Sequence, residues 1–207
     1  EFSNDIHVGN YPYDDNIPVE IAVDPGYGFP GAHAVLAIQV KEGTPYIVDE
    51  IYLQGYVTED IITIMQKRRW GNKVIGGAID IAGTQHQAMP APVEVWWNKA
   101  HIHLDYLKIK DVGAGINLLR TFLKVDPVTK RPGLYINYSC KGFISECGGC
   151  KSPVNGGGIW MRDIHTGKEI DRSNHATKAM IYWLVNRFGF TIKSFRMQPV
   201  IDCLVRK

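Results

Sequence analysis

The chain has 207 residues, 45% of them hydrophobic, 21% charged and 11% aromatic, the composition of one globular domain with a sizeable core, without room for a second full domain. Lys and Arg number 23 against 21 Asp and Glu, a formal net charge of +2, too balanced for a chain that holds nucleic acid by charge alone, so any polyanion must be met by a local patch. No run approaches the roughly 18 apolar residues of a membrane span, and Glu1-Phe2-Ser3-Asn4-Asp5 lacks the basic and apolar regions of a signal peptide. A soluble, unsecreted protein with no membrane partner is expected. A first residue other than Met suggests a fragment of a longer polypeptide, although processing would produce the same end.

Residues 1–16 are polar and broken by Gly9, Pro12 and Asp14-Asp15-Asn16, the pattern of a linker or arm, which places the folded domain over 17–207. Ile21-Ala22-Val23 is a short buried strand stopped by Asp24-Pro25-Gly26-Tyr27-Gly28, and Ala34 to Val40 is the next. After a turn at Glu42-Gly43, Tyr46 to Tyr52 is a third strand. Thr58-Glu59-Asp60 then supplies an N-cap and early acids for a helix carrying Ile61, Ile62, Ile64 and Met65. Val74 to Asp80 reads as a fourth, buried strand ending on an acid, whereas Val93-Glu94-Val95-Trp96 fits either a short strand or the end of a helix. Residues 113–124 set Ile116, Leu119, Phe122 and Leu123 on one helical face, and Leu134 to Tyr138 alternates as a strand after Pro132-Gly133. Beyond a glycine-rich stretch over 148–158, Ile159 to Arg162 and a turn at His165-Thr166-Gly167-Lys168 predict a hairpin. A last helix starts near Ser173-Asn174 and carries Ala176, Ala179, Met180, Trp183 and Leu184. The alternation of strands and helices predicts an α/β fold with a mixed central sheet.

Four cysteines, at 140, 147, 150 and 203, are too few to be needed as a disulfide scaffold, and a reducing compartment fits best. Cys147-Gly-Gly-Cys150 has the spacing of two zinc thiolates, but without a second ligand pair the plainer reading is loop or small core residues. His33, His86, His101 and His103 are each isolated in sequence and read as surface or structural residues. Trp96-Trp97 and the aromatics of the last helix lie in apolar runs and read as core. Lys67-Arg68-Arg69 with Trp70 reads as the polar end of a helix rather than a nucleic-acid strip.

Asp24 and Asp80 each terminate an apolar strand and precede a glycine-bearing turn. Loops leaving the carboxyl ends of strands line the ligand crevice of an α/β sheet, so the two acids can face one another if their strands are neighbours. The plain alternative for each is a solvated turn aspartate. Asp171-Arg172-Ser173-Asn174-His175 stands at the start of the last helix, where a carboxylate and an imidazole one turn apart can both point into a site and Asn174 can cap. Clustered carboxylates are tolerated when a divalent cation neutralises them, so Asp24, Asp80 and Asp171 make a hard-oxygen site for Mg²⁺ or Mn²⁺. Two such ions suit phosphodiester hydrolysis, one activating water and the other stabilising the leaving oxygen.

Four stretches occur in an order that resembles the C-terminal nuclease domain of tailed-phage large terminases: Ala22 to Gly28, Gly77 to Asp80, Val112 to Arg120 and Asp171 to Ala176. The resemblance spans roughly residues 17 to 190 and implies a ribonuclease H-like fold that cuts concatemeric double-stranded DNA at the start and end of genome packaging. It implies that Asp24 is shared by both of two divalent metal ions, Mn or Mg, and that Asp80 is the second carboxylate. Asn174-His175 matches one form of the family's last helix, but Lys178 stands where the family has another Asp, which raises the weight on Asp171 and His175. A neutral His175 suits Mn²⁺ better than Mg²⁺. The resemblance also implies a β-hairpin beside the active site, matched by Gly158 to Ile170. Implied partners are DNA, the ATPase domain of the same full-length chain, the portal and the small terminase, in the cytoplasm of an infected bacterial host.

Lys141, Lys151, Arg162, Lys168 and Arg172 lie near these acids in sequence and are candidates for phosphate contacts, with a solvated face as the alternative. The glycine-rich stretch lacks the Gly-Lys-Ser/Thr of a phosphate-binding P-loop, so this chain does not carry the motor's ATPase signature. Two other readings share part of the pattern: another ribonuclease H-like nuclease, of resolvase or integrase type, and a DNA-binding or assembly module whose acids are vestigial.

Overall fold

The computed structural model describes residues 2–26, 31–84, 90–109, 111–148, 159–163 and 165–189. In chain order the elements are α1 (Asn4–His7), β1 (Val8–Gly9), β2 (Val19–Pro25), β3 (His33–Lys41), β4 (Thr44–Leu53), α2 (Thr58–Gln66), β5 (Val74–Ile79), α3 (Pro92–Ala100), β6 (Leu104–Asp105), α4 (Val112–Leu123), β7 (Tyr135–Asn137), α5 (Lys141–Glu146) and α6 (His175–Phe188). The strands form one sheet in the order β1-β7-β4-β3-β2-β5-β6. β3 is antiparallel to its neighbours β2 and β4, and the other pairings are parallel. This is the expected mixed α/β sheet with helices on both faces.

Side-chain alternation sorts the sheet into two cores. Val19, Ile21, Val23, Val35 and Ile79 pack with Ile61, Met65 and Trp96 of the α2–α3 side, while Ala22, Ala34, Leu36 and Ala78 pack with residues of α4, α5 and α6. Period two then carries Asp24, two residues beyond Ala22, and Asp80, two beyond Ala78, to the α6 face. The parity of β5 depends on a bulge: Val19 opposes Val74 but Glu20 opposes Gly76, so Ile75 is the extra residue and turns outward, 66% exposed. Gly76 takes φ +152 at this irregularity, a region that disfavours side chains.

α6 is buried almost all round, from Ala176 to Val185, because it lies between the sheet and the α4–α5 layer. Its small residues Ala176 and Ala179 share a buried cluster with Ala22, Ala34 and Ala78 of the strands, a close approach that lets the short Asp side chains reach the helix. At the far end of α6, Trp183 Nε1 donates to Glu20 Oε2 at 2.9 Å and Arg187 pairs with Glu20. The helix is thus tied to β2 at both ends, by Glu20 and by Asp24.

Several details differ from the sequence reading or sharpen it. Residues within the expected N-terminal arm dock on the domain: β1 adds to the edge of the sheet beside β7, and the buried His7 holds the Leu123 carbonyl at 2.7 Å through Nε2. Val93 to Trp96, open between strand and helix, lies in α3, started by Pro92 and by the Glu94 carboxylate accepting from the Ala91 N–H at 3.2 Å. Thr58 is the first residue of α2 and Val57 its N-cap, with no side-chain cap bond. The hairpin is present as a short antiparallel bridge between Arg162 and Glu169, turned by Asp163, whose carboxylate accepts from the His165 and Thr166 N–H groups at 3.0 and 2.7 Å. Lys151, Cys150, Cys203, His86 and most of the glycine-rich stretch lie outside the described residues. Among the described residues no helix is long and apolar enough to cross a membrane.

Candidate active site

Val23 of β2 pairs with Ile79 of β5 in parallel register, and the Asp80 N–H donates to the Val23 carbonyl at 2.9 Å. Asp24 and Asp80 therefore stand side by side at the carboxyl ends of neighbouring strands. Both are buried, at 5% and 1% exposure, which removes the solvated-turn alternative. They line a cavity of about 720 Å³ together with His33, Asp171, His175 and Lys178.

Each buried acid is met by a cation from α6. His175, the first residue of the helix, places Nδ1 2.8 Å from Asp24 Oδ2. Lys178, three residues on and on the same helical face, places Nζ 2.9 Å from Asp80 Oδ2 and 3.2 Å from Asp171 Oδ2. Asp80 Oδ2 is thus met by the Lys178 ammonium, and the Ala82 N–H donates to Oδ1 at 3.1 Å. Asp171 sits at the rim with its side chain 66% exposed, and accepts from Asn174 Nδ2 at 3.1 Å. Among the described residues no three His, Cys, Asp or Glu side chains form a ready metal cage; here the acids are balanced by the chain's own cations.

Burial pushes the Asp24 carboxyl up from its ordinary value, and the hydrogen bond from His175 and the charge of Lys178 offset part of that. The His175 imidazole is raised chiefly by its hydrogen bond to Asp24, against a downward pull from burial. For Lys178, burial favours the neutral amine, but the carboxylates of Asp24, Asp80 and Asp171 outweigh it and hold the ammonium charged.

α6 is positioned by a carboxylate that no sequence motif singles out. Glu146, at the end of α5 and 6% exposed, accepts from the Thr177 N–H at 2.8 Å, from Thr177 Oγ1 at 3.1 Å and from the Tyr52 hydroxyl at 2.9 Å. The expected cap, Asn174, makes no side-chain cap bond and turns to Asp171 instead. His33, isolated in the sequence, also belongs to the cavity. It is the first residue of β3, paired with Pro25 beside Asp24. Its ring is 2% exposed, Nε2 has no hydrogen-bond partner, and burial together with the charge of His175 brings its pKa down to about 4, so the imidazole is neutral.

Arg162 pairs with Glu169 at 2.9 Å within the hairpin, and Lys141, Lys168 and Arg172 are exposed. Arg68 and Arg69 pair with Asp49 and Asp15, and Trp70 donates to Asp49 at 2.7 Å, as the polar end of a helix should. Cys140 and Cys147 are buried free thiols, and burial pushes both up in pKa. His103 pairs with Asp105 at 3.3 Å on the surface, and His101 closes α3 in the left-handed region at φ 55.

No protein-family model and no curated protein matches the chain. Among solved structures, the nuclease domain of the P22 large terminase superposes with a TM-score of 0.64 at 17% identity, over 91% of this chain and 91% of that one. The nuclease domain of g2p, the large terminase of bacteriophage SPP1, solved with bound Mn, gives 0.54 at 14% identity over 88% and 96%. The large terminase of a thermophilic bacteriophage gives 0.62 at 18% identity, covering 89% of this chain and 43% of that protein. The chain thus has the ribonuclease H-like fold of large-terminase nuclease domains. It spans less than half the length of the thermophilic phage's terminase.

Proposed function

We propose that the chain is the nuclease domain of a viral DNA-packaging motor, a metal-dependent endonuclease that cuts concatemeric double-stranded DNA at the start and end of packaging. The observation that carries this reading is the pair of buried acids, Asp24 and Asp80, at adjacent strand ends, lining one cavity with His175, which lies in contact with Asp24. A hard divalent cation suits this donor set, because two buried carboxylates, Asp24 and Asp80, stand at adjacent strand ends and an imidazole lies against the first of them. Asp24, Asp80, Asp171 and His175 would hold Mg²⁺ or Mn²⁺, and bound metal would supply an activated water and charge stabilisation at the leaving oxygen. Lys141, Lys151, Lys168 and Arg172 are the candidate phosphate contacts on this reading. Arg162 is held by Glu169 and serves the hairpin first. On this reading the partners are an ATPase domain of the same full-length protein, the portal and the small terminase, in the host cytoplasm.

Plasmid cleavage with Mn²⁺, Mg²⁺ or chelator, run beside Asp24→Asn, tests the proposal. The expected outcome is cutting that requires metal and is abolished by Asp24→Asn with the circular-dichroism spectrum unchanged; undiminished cutting by that variant overturns the assignment. A second reading, a DNA-binding or assembly module, is favoured by the Lys178 ammonium already lying against Asp80 and Asp171, and metal-dependent cleavage eliminates it. Competition between linear duplex and branched DNA separates a packaging nuclease from a resolvase.

A further inference from the structure

We infer that the Lys178 ammonium is a built-in cation that takes the place of one divalent ion on the Asp80–Asp171 side of the cleft, so that the site holds a single divalent ion against Asp24 and His175. The inference rests on the metal-dependent reading of the site and concerns how many ions that site takes.

Two observations carry it. Lys178 Nζ lies within ion-pairing distance of both carboxylates, 2.9 Å from Asp80 Oδ2 and 3.2 Å from Asp171 Oδ2, so one cation of the chain already meets both acids. The direction of the side chain is the second. A surface lysine lays its stem on the protein and lifts its ammonium into water, whereas here the side chain is 25% exposed and its charge meets an aspartate whose side chain is 2% exposed. The ammonium points into the cleft, not outward to DNA. Charge makes the two occupants exclusive, because a divalent ion set between the same carboxylates would stand a few ångströms from a fixed positive charge in a poorly solvated cleft. The opposite pole differs. Asp24 is paired with an imidazole, a residue type whose ring nitrogens ligate metals, whereas an ammonium has no lone pair to offer.

The test is the number of Mn²⁺ ions bound per chain, read by calorimetric titration and by the free Mn²⁺ electron paramagnetic resonance signal, without DNA. The unaltered chain should bind one. Lys178→Met, which keeps the stem and removes the charge, should bind two, and Lys178→Arg, which keeps the charge, should bind one. Two ions on the unaltered chain, or no gain in Lys178→Met, overturn the inference. The count on the unaltered chain decides the matter even if Lys178→Met does not fold, since two ions there are enough to overturn it. Cleavage is scored separately: a chain that cuts DNA with two ions bound defeats this inference and leaves the nuclease reading standing. A chain that binds one ion, gains a second in Lys178→Met and never cuts does the reverse.

Discussion

Glu50 shows how burial governs single ionisable groups in this protein. On β4, its carboxylate accepts from the Gly142 and Phe143 N–H groups, each at 2.7 Å, and so holds the start of α5. Burial pushes its pKa from 4.5 up to about 7, and those two hydrogen bonds offset only part of the shift. Between these values the folded chain binds more protons at Glu50 than the unfolded chain does, so this group's contribution to stability falls as pH rises from about 4.5 to about 7. His33 works in the opposite sense, because its pKa is lowered to about 4 and the unfolded chain takes up the proton first. The total profile mixes the two, and comparison with a variant isolates one. The destabilisation caused by Glu50→Ala, measured by urea unfolding, should shrink across the window as pH rises. A penalty that is constant or grows with pH contradicts the assignment. Asp24 and Asp80 belong to the same scale: the sequence marks each as an acid at a strand end, but their burial and partners depend on a helix whose first residue is 151 positions from Asp24.

At the scale of elements, α6 decides whether the site exists. Its start near Ser173-Asn174 is legible from local residue types, and its last turns are legible from the apolar run. The cap is not legible, because the group that serves it, Glu146, belongs to another helix 31 residues earlier. Glu146→Ala leaves the Thr177 N–H and the Tyr52 hydroxyl without their acceptor, while the Thr177 hydroxyl keeps the Asn174 carbonyl at 3.0 Å, and each buried unsatisfied group costs about 1–3 kcal/mol. With partial relaxation and water access the expected loss is about 2–4 kcal/mol in thermal unfolding. Cleavage should also fall, because His175 and Lys178 ride on the same turns, and Glu146→Gln, which retains an acceptor oxygen, should recover part of both. Full stability of Glu146→Ala would show that another group holds the helix end. α3 illustrates the same limit in reverse. Val93 to Trp96 is too short an apolar run to separate strand from helix by period, and Pro92 with the Glu94 bond to Ala91 settles it.

At the scale of the whole molecule, the N-terminal segment closes the sheet edge. Composition marks residues 1–16 as an arm, and nothing local distinguishes a docked arm from a free one. Docking comes from contacts across the chain: His7 Nε2 to the Leu123 carbonyl, 116 positions away, the stacking of Phe2 on His7, and β1 alongside β7. His7→Ala leaves the Leu123 carbonyl unpartnered where α4 ends, with an expected loss of about 1–3 kcal/mol. Denaturant titration reads this directly, and an unchanged midpoint would mean that the segment does not contribute to the folded domain's stability. The Asp24→Asn and Lys178→Met experiments act at the centre of the same sheet, far from this edge, so their effects on the fold and on the site can be separated.

Sequence alone determined the strands and helices with strong periods, the mixed α/β class and the positions of Asp24, Asp80, Asp171 and His175 at strand or helix ends. These depend on alternation, capping residues and turn chemistry within a few residues. Tertiary structure decided which strands are neighbours and that β3 runs against them. It also decided that the bulge at Ile75 turns Asp80 toward α6, that His33 and Lys178 line the same cavity, and that Glu146 holds the helix carrying Lys178. Those outcomes depend on packing between segments far apart in the chain, where two small-residue surfaces, Ala22, Ala34 and Ala78 of the sheet and Ala176 and Ala179 of α6, come close enough for short side chains to meet.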